Sequence, residues 1–200
     1  MYIIKKAEHV INCMCDEAWK TANVAEINNF NWDKSMTTPV TTAKLLWSEE
    51  GIHVRMTTDE KPLLARVTEQ NGDVYADSCM EFFIQPNIND ERYLNFEFNA
   101  FGTNYLSIRR DRHTYEFCKY GKKDLNVKSK VNDGEWVLMF TVPFSMLNDI
   151  FGTYTDEMRG NLYKCCEDKA PAHWASYYPI DTPAPDFHCP KFFGGFKLEK

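Results

Sequence analysis

The sequence predicts an all-β fold, a two-sheet antiparallel β-sandwich of immunoglobulin-like or jelly-roll-like type with one or two short helices. Three observations predict it. Many short segments alternate apolar and polar residues with the period of two of a pleated strand. Turn residues (Asn-Gly, Asn-Asp-Gly, Pro) punctuate them at short intervals. Only one stretch, FSMLNDIF, reads convincingly as a helix. A chain of 200 residues is within the range of one large β domain, so residues 1–200 are read as a single domain. Hydrophobic residues at 44% and aromatics at 14% supply a sizeable core.

Taken in order, residues 1–35 mix short apolar segments with Trp19 and Trp32, and Asp16 is placed to N-cap one helical turn. AKLLWS, ending at Ser48, and GIHVRMTT, from Gly51 to Thr58, predict a hairpin. A further strand is expected near Leu63 to Glu69, leading into the turn Gln70-Asn71-Gly72-Asp73. Three central strands follow between Asp77 and Asp111. Leu125 to Val131 and Glu135 to Val142 form the next pair across Asn132-Asp133-Gly134. The second of these is apolar in both phases and so covered on both sides. Pro143 ends it, and the helix runs to Gly152. A strand from Met158 (MRGNLYKCC), the segment HWASYYPI, a Pro-rich arm and a terminal strand FGGFKLEK complete the chain.

The stretch from Asp77 to Asp111 is the most informative. One face carries Met80, Phe82, Ile84, Leu94, Phe96, Phe98, Leu106 and Ile108, which is a core. The other carries Glu81, Phe83, Gln85, Tyr93, Asn95, Glu97, Asn99, Tyr105, Ser107 and Arg109. Amides, carboxylates, hydroxyls and a guanidinium interleaved with aromatics mark a binding face.

Composition narrows the partners. A net charge of −6 with no Lys/Arg stripe argues against nucleic acid; the five lysines between Lys119 and Lys130 are mixed with Asp124 and Asn126. No stretch is long and apolar enough to span a bilayer, and the amino terminus lacks the apolar run of a signal peptide. Seven scattered cysteines read as reduced thiols. The expected location is cytoplasmic, or secreted if a leader precedes this numbering.

Against this background LLWSEEGIHV, VYADSCMEFFIQP, YLNFEFNAFG, EWVLMFTVPF, RGNLYKC, HWASYYPI and PDFHCPKFFG, in order from Leu45 to Gly195, resemble the family 9 carbohydrate-binding modules, specifically the stand-alone "family 9-like" branch. The resemblance implies a β-sandwich that binds a mono- or oligosaccharide, serves carbohydrate catabolism, and associates with glycoside hydrolases rather than cleaving sugars itself. It places the two aromatic walls of a sugar slot at Tyr75 and Tyr177, where related sequences usually show Trp; Trp174 is the rival for the second wall. Glu81, Asn95, Glu97, Asn99 and Arg109 would then bond the rim of hydroxyls, because charged groups make the stronger hydrogen bonds. At roughly 1.5–3 kcal/mol each, these imply a Kd between about 1 μM and 1 mM. The resemblance also implies structural calcium, for which Asp77, Asp181 and Asp186 are the candidate oxygen ligands.

Other readings stand beside this one. Glu81 and Glu97 on neighbouring strands have the makings of a glycosidase pair, although no apolar pocket that would raise one pKa is visible in the sequence. Cys13-x-Cys15 with His9, and Cys165-Cys166 with His173 or His188-Cys189, lack the paired spacing of structural zinc sites and read as buried thiols. Met56, Met80, His53, His113 and His173 offer axial ligands for haem, but the two methionines fall among core residues. His188 reads as a clasp for the Pro-rich arm.

Overall fold

Most of the strands that the alternation predicts form, although residues 125–127 stay outside the strand that begins at Lys128. The structure, a computed structural model, describes residues 1–32, 38–169 and 172–200. Its strands are β1 (Tyr2–Lys6), β2 (Val24–Glu26), β3 (Thr41–Ser48), β4 (Gly51–Thr58), β5 (Cys79–Gln85), β6 (Tyr93–Asn99), β7 (Asn104–Arg109), β8 (Tyr115–Phe117), β9 (Lys128–Asn132), β10 (Glu135–Pro143), β11 (Glu157–Cys166), β12 (His173–Ser176) and β13 (Gly194–Leu198). The α-helix, α1, is Phe144–Phe151. Among the described residues no helix is long and apolar enough to cross a membrane.

The first sheet runs β8-β7-β6-β5-β11-β13-β1, with β12 also on β11. The second runs β1-β3-β4-β10-β9, with β2 on β3. The sheets share β1: its residues Tyr2 to Ile4 pair with β13, while Lys5 and Lys6 pair with β3. Both pairings are parallel, a departure from the all-antiparallel expectation.

The central face assignment holds. Met80, Phe82, Ile84, Leu94, Phe96, Phe98 and Leu106 meet Leu45, Val54, Met56, Trp136, Leu138 and Phe140 of the second sheet in one buried core. Phe140 reaches across the gap, its ring 4.6 Å from that of Phe98 and 5.7 Å from that of Phe96. Burying each such ring contributes about 1.5–3 kcal/mol. Met56 and Met80 are fully buried in this core.

Local signals are also met. Asp16 Oδ1 accepts from the Ala18 N–H at 2.9 Å and caps a 3₁₀ turn, Glu17–Lys20. Gly152, at φ 75°, ends α1 in the left-handed conformation. The stretch from Leu63 to Glu69 is not a strand. It is irregular, held by Ser78, whose Oγ accepts from the Leu64 N–H at 2.8 Å, and by Asp77. Asn71 supplies the positive φ of the turn that follows.

The outer face of the second sheet is covered by the amino-terminal segment, with Ile11, Trp19, Leu46 and Met139 buried together. His53 is fully buried on this side between Ser48 Oγ (2.8 Å) and Thr141 Oγ1 (3.0 Å). Burial lowers its pKa to about 4. The unfolded chain, with an ordinary histidine, takes up the proton first, so the stability His53 contributes is lost as pH falls from about 6.5 towards 4. Urea unfolding of His53→Gln is therefore expected to lose roughly 2 kcal/mol less than the parent between about pH 7 and about pH 5. Parallel pH profiles for the two proteins would contradict this account.

Candidate functional site

The outward face of the first sheet does not lie open to solvent. Phe83, Tyr93, Tyr163 and Cys165 are buried there with Phe187 and Phe193 of the carboxy-terminal arm. Phe187 stacks on Tyr163 at 4.2 Å, and His188 stacks on Phe83 at 4.9 Å. The arm covers part of the face and leaves a cavity of about 220 Å³ beside it.

Neighbouring strands supply the cavity floor. Glu81 on β5 stands directly opposite Glu97 on β6, and Glu97 opposite Tyr105 on β7. Arg109 lies further along β7, and Cys165 comes from β11. Tyr75, on a 3₁₀ turn (Val74–Ala76), and Trp174, on β12, form partly exposed walls at the β11 end. The Trp174 indole N–H donates to Glu167 Oε1 at 3.2 Å, and the Glu167 N–H donates to the Tyr75 carbonyl at 3.3 Å. Glu167 therefore ties the two walls together. The far rim is Tyr115 and Arg112 with Asp186 and His188 of the arm.

Electrostatics follow from depth. Arg109 Nε donates to Ser107 Oγ at 2.7 Å, the Ser107 hydroxyl donates to Asn95 Oδ1, and the Asn95 amide donates to Glu97 Oε1. This one-way chain of donors orients Glu97 and commits one of its oxygens. The other, Oε2, is buried with no partner among the described residues. Burial raises Glu97 to about 7. Burial, and then Cys165 and Glu97 beside it, hold Glu81 well above the carboxylate range; the Cys165 thiol donates to Glu81 Oε1 at 3.0 Å. A glycosidase would divide such a pair into one protonated and one ionised carboxyl; here burial raises both. Arg109 makes no ion pair among the described residues; its guanidinium donates to the Tyr105 hydroxyl (2.8 Å) and the Arg112 carbonyl (2.9 Å) and lies 4.1 Å over the Tyr115 ring.

Of the residues expected from the sequence, Tyr75, Trp174, Glu81, Glu97 and Arg109 meet in this cavity. Tyr177 does not. It is packed on the opposite side of β12's continuation, against Tyr2 at 6.2 Å and Tyr178 at 4.5 Å, as part of the inter-sheet core. The second wall is Trp174. Asn95 is fully buried and acts through Glu97 rather than lining the cavity. Asn99 is turned to the Val67 carbonyl (2.7 Å) and Asp77 Oδ2 (2.9 Å).

Of the three carboxylates expected to hold calcium, Asp77 and Asp186 already accept from protein donors. Asp77 is fully buried, and its oxygens accept from the Arg66 and Val67 N–H groups (both 2.9 Å), from Asn99 and from the Arg66 guanidinium (3.3 Å). Asp186 accepts from the His188 N–H, the Cys189 thiol and Arg112. Asp181 is exposed in the arm. His188 is the clasp expected of it: Nδ1 meets the Tyr93 hydroxyl at 3.0 Å, and burial, with Arg109 and Arg112 near, lowers it to about 3. Cys165 and Cys166, adjacent on β11, alternate faces, while Cys13 and Cys15 are exposed rather than buried.

Sequence reading missed Arg112, Tyr115 and Glu167. The first two lie at and beyond the β7–β8 loop, where no periodicity assigns a face. Glu167 carried a signal, being two residues beyond Cys165 and thus in its phase.

Comparisons with known proteins agree with this fold. No curated protein matches the chain. A candidate carbohydrate-binding protein from Bacteroides uniformis superposes with a TM-score of 0.84 at 24% identity, covering 98% of each chain. A family 9 carbohydrate-binding module from Caldicellulosiruptor kristjanssonii, solved with cellotriose, superposes at 0.69 with 14% identity, over 99% of this chain and 93% of that one. A family 9 carbohydrate-binding module from the same organism, solved with glucose, superposes at 0.66 with 14% identity, over 98% of this chain and 94% of that one. The model of carbohydrate-binding family 9 matches residues 13–198, nearly the whole length, and the chain belongs to that family.

Proposed function

We propose that the cavity on the outer face of the first sheet is the sugar site, taking one or two pyranose rings of a short gluco-configured oligosaccharide between Tyr75 and Trp174. The observation that carries this is Glu97 Oε2, a buried acceptor without a partner among the described residues, at the floor of an aromatic-walled cavity. Leaving such an atom unmet costs about 1–3 kcal/mol, and a hydroxyl supplies the missing donor. Tyr75 and Trp174 offer flat apolar surfaces to the C–H faces of a sugar. At about 220 Å³ the cavity is smaller than the roughly 300–1,000 Å³ of sites for drug-sized ligands, which favours a chain end over a long internal segment. The bound cellotriose and glucose of the two Caldicellulosiruptor complexes motivate the gluco configuration.

Calorimetry against glucose, cellobiose and cellotriose tests the proposal. Binding is expected in the micromolar to millimolar range, and Tyr75→Ala is expected to weaken it about tenfold through a lost stacking contact of about 1.4 kcal/mol. Affinity unchanged in Tyr75→Ala would remove this cavity as the sugar site. Incubation with aryl glucosides separates binding from hydrolysis: turnover lost in Glu81→Gln with folding intact would favour the catalytic reading.

A further inference from the structure

Two thiols and a carboxylate converge under the cavity in a way that sugar recognition does not call for. Cys79 and Glu81, two residues apart on β5, share its outward face, and Cys165 on β11 stands directly opposite Cys79. Both sulfurs and a Glu81 carboxylate oxygen lie within 4.8 Å of one another, and all three residues are buried. Glu81 has no cation within ion-pair distance among the described residues, and the nearby positive charge, the Lys164 ammonium, is bonded to the Cys165 carbonyl and to Glu60, so three acidic groups face one point without an ion-pair partner there. Glu81 and Cys165 line the cavity, which gives the point an entry path.

We propose that Cys79, Cys165 and Glu81 form a three-ligand site for a soft divalent cation, zinc above all, in the cavity floor, with the fourth position turned towards the cavity. A pair of thiolates selects zinc over calcium or magnesium, which prefer all-oxygen shells. Zinc at about 2.3 Å from sulfur and about 2.0–2.2 Å from carboxylate oxygen needs ligand atoms about 3.3–3.8 Å apart. The present separations require shifts of roughly an ångström or less. Three protein ligands and one open position is the arrangement of zinc sites that receive an exchangeable group. Loading releases the two thiol protons and the carboxyl proton to solvent, the cation's charge overcoming the burial that keeps these groups protonated.

The test uses the full chain carrying Cys13→Ser and Cys15→Ser, which removes the exposed thiol pair, with cobalt(II) as the spectroscopic probe. One cobalt per chain is expected, with thiolate-to-cobalt charge-transfer and tetrahedral visible bands that vanish on adding one equivalent of zinc. Further substitution of Cys165→Ser is expected to remove at least half of the charge-transfer intensity. Glu81→Gln is expected to weaken the metal by at least about tenfold, the lower bound for losing even an outer-shell partner. X-ray absorption of the zinc-loaded protein without those further substitutions should read two sulfur neighbours, which keeps the test decisive if Cys165→Ser does not fold. Absence of charge transfer, a zinc shell without sulfur, or a spectrum unchanged in Cys165→Ser would overturn the site. Sugar plays no part in these readouts, so the metal site and the sugar site stand or fall separately.

Discussion

Trp174→Ala is expected to weaken sugar binding by about thirtyfold or more, while Tyr177→Ala leaves it unchanged. Truncating a tryptophan that forms one wall of a binding site commonly costs about 2 kcal/mol or more, which is about thirtyfold in Kd. Trp174 fits that role because Glu167 fixes its indole N–H at 3.2 Å and its ring lines the cavity. Tyr177 has a different job. Its ring packs edge-on to Tyr2, and its N–H donates to the Leu162 carbonyl at 2.9 Å. Tyr177→Ala is therefore expected to lose about 2 kcal/mol of stability, below the full cost of emptying a buried aromatic site because the ring is only partly buried. Calorimetry and urea unfolding on both variants separate these effects. Affinity lost with Tyr177 and retained without Trp174 would reverse the assignment of the second wall.

That contrast also shows where the sequence stops being informative. HWASYY has aromatics in both strand phases, so alternation alone cannot say which faces outward. The pairing of Cys165 with Trp174 decides it, putting Trp174 with the cavity residues and Ala175 in the core. The faces of β5, β6 and β7 were legible because each strand keeps one phase apolar over several residues. Depth along those faces was not: Asn95 and Asn99 are in the right phase, yet both spend their amides inside the protein. A carboxylate's partners are equally hidden. Asp77 reads as a cation ligand in sequence, but backbone N–H groups from a segment ten and eleven residues earlier occupy it. The parallel strand β1 depends on the last residues of the chain, a pairing that no local pattern announces.

The largest expected loss of stability comes from Lys164→Met. Lys164 alternates with Cys165 on β11 and so points away from the cavity, and it is fully buried. Its ammonium lies 2.7 Å from Glu60 Oε2, donates to the Cys165 carbonyl at 2.7 Å, and lies 3.2 Å from His173 Nε2. Burial alone would raise Glu60, but Lys164, with Lys169 at 3.0 Å from the other oxygen, holds it below the carboxylate range. Removing Lys164 leaves a buried carboxylate with one partly exposed partner and a backbone carbonyl without its donor. A loss of about 3–5 kcal/mol is expected, which for a chain of this length is roughly ten degrees in Tm. Lys164→Met combined with Glu60→Leu should recover much of it, because replacing both charges by apolar groups removes the stranded one. Sugar affinity should survive in the double variant, since the pair lies on the other side of β11. A loss below about 1 kcal/mol in the single variant would mean that Lys169 and water satisfy Glu60 unaided, and that the buried pair does not anchor β11.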